Sequence, residues 1–136
     1  MKRIIIAFLA LVALVAVVVP AIAHHSFSAE FDNTKQVEMK GYVTKVEWTN
    51  PHVWFYINVV DPVTGKGTRW GFEMGPPHGL QGQGWSRETM KIGDEVIVNG
   101  SRAKDGSNRA NARSVVLAKT GLRMGAASSE NQADQK

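Results

Sequence analysis

Along residues 53–60 the apolar side chains alternate, so that Val53, Phe55, Ile57 and Val59 share one face of an extended chain while Trp54, Tyr56 and Asn58 share the other, headed by His52. A strict period of two is the signature of a β-strand with one buried face, and it excludes a helix here. The next residues, Asp61, Pro62, Val63, Thr64, Gly65, Lys66 and Gly67, carry a Pro and two Gly and predict a reversal. A returning strand over 68–74 then places Trp70, Phe72 and Met74 on one side.

The same alternation dominates residues 37–118. In the strand over 37–48 the period runs through Val37, Met39, Gly41 and Val43, then moves by one residue to Val46 and Trp48. Such a phase shift is what a β-bulge produces, because one extra residue turns every later side chain to the other face. Two more strands are expected over 95–100, with Val96 and Val98 inward, and over 109–117 after the Asp105-Gly106-Ser107 turn. Between the third and fourth strands, residues 75–84 are too rich in Gly and Pro to be regular. Residues 85–90 read as a short helix with Ser86 as N-cap and Trp85 stapled against Met90. Five strands with one helix between the third and fourth give a mainly β fold of OB-like barrel type, preferred to a six- or seven-stranded sandwich on strand count.

Composition matters first at the ends of the 136-residue chain. Lys2 and Arg3 precede an apolar run over residues 4–19, followed by Pro20, Ala21, Ile22 and Ala23. This is the pattern of a secretory signal peptide, residues 1–23; the run is shorter than the roughly 20 residues of a membrane span. The domains expected are thus 1–23 signal peptide, 24–118 folded domain and 119–136 disordered tail, the last because it lacks an apolar period. Processing leaves 14 basic against 12 acidic residues, well interleaved, which argues against a nucleic-acid partner and leaves no membrane span. Periplasmic or secreted location follows from the same reading. There is no cysteine, so disulfides and Cys-ligated metals are excluded.

Several stretches in order, including His24-His25-Ser26-Phe27, Val46-Glu47-Trp48-Thr49-Asn50-Pro51-His52-Val53-Trp54, Gly71-Phe72-Glu73-Met74-Gly75 and 100–108, resemble a bacterial secreted family catalogued as domain of unknown function 6152. The final strands are more distantly similar to periplasmic OB-fold proteins. Neither resemblance implies a reaction or a catalytic residue.

No nucleophile elbow, zinc-protease motif or phosphate-binding glycine pattern is present, so a non-enzymatic binding or accessory protein is expected. Its partner would be a small molecule, a metal ion or an envelope protein. The candidate ligand face is the outer side of the second and third strands, with Trp54, Tyr56, Arg69 and Glu73 beside His52. The alternative is copper. Cleavage after Ala23 would give His24 a free α-amine beside its imidazole, a chelating pair that one more imidazole would complete in the manner of a histidine brace. His52 is the best placed on sequence, with His25 and His78 as further candidates; the preferred reading, however, is that His24 and His25 are polar residues after a cleavage site and His52 a strand-start histidine bonded to backbone.

Overall fold

A computed structural model describes residues 27–127 together with Met1. The expected signal peptide, His24 and His25 lie outside these residues, as do positions 128–136. Helix α1 (Phe27–Glu30) leads directly into β1 (Phe31–Glu47), followed by β2 (Trp54–Val60), β3 (Gly67–Glu73), α2 (Pro77–Gly82), β4 (Glu95–Ala103), β5 (Arg109–Leu117) and β6 (Leu122–Gly125). The protein is mainly β, with six strands in one sheet in the order β3-β2-β1-β4-β5-β6. These neighbours are antiparallel. In addition β3 pairs with β5 in parallel, matching Gly71 to Arg109, Phe72 to Ala110 and Glu73 to Asn111. The ladder therefore runs from β3 through β2, β1, β4 and β5 and back to β3.

The long β1 makes this possible by serving two partners. Its first part pairs with β4 and its last part with β2, and the register with β2 shifts between Val43 and Lys45, where the sequence pattern changes phase. At Gly41 a Cβ would stand 2.5 Å from the Asn58 carbonyl oxygen, so only glycine lets the two strands approach this closely. Val53, Phe55, Ile57, Trp70, Phe72, Met74, Val96 and Val98 lie in one core, as the alternation requires, with Phe55 and Phe72 stacked at 5.3 Å.

Three expectations are corrected. A sixth strand, β6, lies in the described part of the segment 119–136 expected to be disordered, and Met124, Ala126 and Ala127 are buried. These small residues have no period of their own; they gain order from the β5 ladder and from the Trp85 indole N–H, which donates to the Gly125 carbonyl at 2.6 Å. Residues 85–90 form a turn rather than a helix, although Ser86 Oγ does accept from the Glu88 N–H. The helix of this connection is instead α2, in the Gly/Pro segment read as irregular. Pro77 at its first turn presets φ, and full burial of Leu80 outweighs the poor propensity of its glycines.

Candidate functional site

His52 sits just before β2, after the cis Asn50–Pro51 bond, where the ladder already holds its neighbour: Val53 N–H donates to Gly75 O, and Met74 N–H to Val53 O. Across that ladder is Glu73, the last residue of β3, and His52 Nδ1 lies 2.9 Å from Glu73 Oε1. Glu73 is only 8% exposed. Burial pushes its carboxyl up to about 7, nearby Glu30 adds to the rise, and Arg109 opposes it. The imidazole is one-third exposed, so the pair joins a buried acid to a ring that reaches solvent.

Next along β2 stand Trp54 and Tyr56, two residues apart and on the same face, with ring planes 23° apart at a centroid separation of 6.4 Å. Tyr56 lies over the cross-strand Gly71, where a Cβ would meet the ring at 3.1 Å. The Arg69 guanidinium covers the same ring at 4.3 Å and the Lys45 ammonium reaches it at 5.6 Å. Tyr56 Oη donates to Glu47 Oε2 at 3.1 Å, and Lys45 Nζ pairs with Glu47 Oε1. The Lys45 and Tyr56 hydrogen bonds hold the Glu47 carboxyl below its ordinary range; burial, followed by the Glu47 bond, raises Tyr56. The result is an ordered aromatic and cationic surface beside the acid–imidazole pair.

Sequence reasoning missed the continuation of this surface onto β5 and β4. Ala110 and Ala112 point into the core, which turns Asn111 outward next to Glu73, and Ser101 of β4 pairs with Asn111. Both are nevertheless 1% exposed. Part of the cover is the start of β1, since Ser101 Oγ donates to Asn33 Oδ1 at 3.2 Å and accepts from Gln36 Nε2 at 3.0 Å. The start of β1 thus lies against Ser101, while Trp54 and Tyr56 remain half-buried. Asparagine is a poor strand former, and its place between two core alanines was the one sequence signal that could have drawn attention to it.

Of the four candidate metal ligands, only His52 and His78 fall among the described residues. His78 is exposed on α2, and no contact joins it to His52. Among the described residues no group of three or more His, Asp or Glu side chains is placed to hold a metal ion. No described helix is long and apolar enough to cross a membrane.

Fold and site together define a small β-sheet protein whose outer strands present an aromatic, cationic and acid–imidazole surface. The chain belongs to a family of unknown function (DUF6152), whose model matches residues 11–112. No curated protein and no solved structure matches it.

Proposed function

We propose that this is an exported, non-enzymatic binding protein, built on an OB-like closed barrel, that takes a small ligand on the outer face of β2 and β3. The parallel β3–β5 pairing supports the barrel, since it returns the ladder to its first strand. The basic, apolar and small-residue pattern of residues 1–23 supports export to the periplasm or beyond. One observation carries the ligand face. Trp54, Tyr56 and Arg69 form a platform in which Arg69 sits 4.3 Å over Tyr56, immediately beside the His52–Glu73 pair. Aromatic surfaces held this way stack on planar or ring-shaped ligands at little entropic cost.

The test uses processed protein equilibrated with a protein-free extract of envelope small molecules, read by native mass spectrometry. A bound mass is expected that is lost in Trp54→Ala and Arg69→Ala but kept in Leu122→Ala on β6. A bound mass indifferent to Trp54 and Arg69, or none at all, contradicts the ligand face.

The His52–Glu73 contact favours a second reading, copper binding. A metal-binding histidine usually donates its other ring N–H to a carboxylate, which fixes the tautomer; here Glu73 Oε1 lies 2.9 Å from Nδ1, and a metal would take Nε2. Phe27 is three residues from His24, a reach of about 10 Å. An intact mass starting at His24 is the premise. Cu(II) affinity should then fall more than tenfold in His52→Ala and on adding one N-terminal residue, and less in His78→Ala; insensitivity to the extension rejects this reading.

A further inference from the structure

We propose that Asn111 and Glu73 form a subsite for paired hydroxyl groups, so that the ligand of the β2–β3 face is an oligosaccharide. This rests on the aromatic face being the ligand face. The outward side chains of one row run from Gln36 on β1 through Ser101, Asn111 and Glu73 to Trp54 on β2, each matched to the next across the ladder. Ser101 and Glu73 have partners. Asn111, in contrast, is 1% exposed and has no hydrogen-bond partner for either its amide nitrogen or its amide oxygen. A buried side chain of this kind costs stability, and folded proteins tolerate few of them.

An asparagine amide offers a donor and an acceptor in one plane, and two neighbouring hydroxyls satisfy both, since each hydroxyl can donate and accept. Glu73 supplies acceptors one strand away and Trp54 an aromatic wall the next strand on, about 10 Å from Asn111. That span calls for more than one sugar ring. An extended peptide is a poorer fit. Peptides add to sheets at free edges, and in this row β3 is paired with both β2 and β5, and β5 with both β3 and β4.

Asn111 is 1% exposed, so a ligand reaches it only when its surroundings move, and the segment bonded to the neighbouring Ser101 is separable. Residues 33–35 interrupt the β1–β4 register, which shifts between Asp32 and Gln36. The apolar anchorage of this segment, Phe27 and Phe31 with Ala103, is a cluster apart from the main core. The segment bonded to Ser101, the cross-strand neighbour of Asn111, is thus anchored apart from the main core.

The test is an NMR titration of the full processed chain with tetramers of N-acetylglucosamine and of glucose, following the Asn111 side-chain amide and the Trp54 indole. One tetramer should shift both, and Asn111→Leu should weaken that binding at least tenfold. Because leucine fills the space without unpaired polar atoms, the same variant should melt about 4–8 °C higher than the wild type. A lower melting temperature, or unchanged affinity, would overturn the subsite. Should the variant fail to fold, the wild-type signals decide alone: a Trp54 shift without an Asn111 shift rejects the subsite and leaves the face standing. Absence of binding by either sugar, with an envelope molecule still held in a Trp54-dependent way, rejects the sugar class only.

Discussion

Glu73 is held by opposing demands: a strand register that fixes it beside Asn111, an imidazole at 2.9 Å, and burial that disfavours its charge. A carboxyl raised from 4.5 to about 7 binds more protons in the folded than in the unfolded chain. Its contribution is therefore fully favourable below about pH 4.5 and is lost as pH rises towards 7. Glu73→Gln keeps an oxygen for His52 and removes the titration. Relative to wild type, its stability should be near equal at pH 4.5 and greater at pH 8 by on the order of 3 kcal/mol. Urea unfolding at the two pH values measures this, and parallel curves would show that burial does not raise the carboxyl. On the same strand pair, Ile57→Ala should cost about 2–5 kcal/mol by leaving a cavity. Tyr56→Ala, on the opposite face, should cost much less, and equal losses would mean the two faces do not differ in burial.

Among the elements, what the sequence makes legible is what local pattern alone encodes. The period of two in β2 assigns Phe55 and Ile57 to the core, and the phase change after Val43 marks the bulge in β1. Residues whose order comes from distant partners carry no such mark. Ala126 and Ala127 are buried among distant partners, Ala126 bonding to Arg113 and Gly75 and Ala127 to Gln83, and Ser101 is held by Asn33, nearly seventy positions earlier in the chain. α2 belongs with them, since Leu80 forms a helix in order to be buried rather than because its neighbours favour one. The candidate site divides along the same line. Trp54, Tyr56 and His52 are visible in the strand pattern, whereas the Glu73–Asn111 pairing requires the parallel contact between β3 and β5. The weight of β6 can be measured directly. A chain ending at Ala118 loses the Met124 side chain and the Trp85–Gly125 bond, and should be less stable by about 2–5 kcal/mol in urea unfolding. Equal stability would reduce β6 to an appendage.

At the scale of the molecule, the returning ladder explains why a chain without cysteine places so much chemistry on its outer surface. Phe55, Phe72, Val96, Val98 and Val115 are fully buried in the core, which leaves the opposite face of the same strands to carry the polar and aromatic side chains. The start of β1 bonds to Ser101 at one end of that face, while Trp54 and Tyr56 stay half-buried and Arg69 exposed at the other. The central claim is that this aromatic end binds the ligand, and chemical-shift mapping of the uniformly ¹⁵N-labelled processed protein with the envelope extract tests it most directly. The account predicts that shifts concentrate at His52, Trp54, Tyr56, Arg69 and Glu73 while β6 stays unmoved. Shifts confined to β6 or to the Trp85 end of the core, with the β2–β3 face silent, would contradict it.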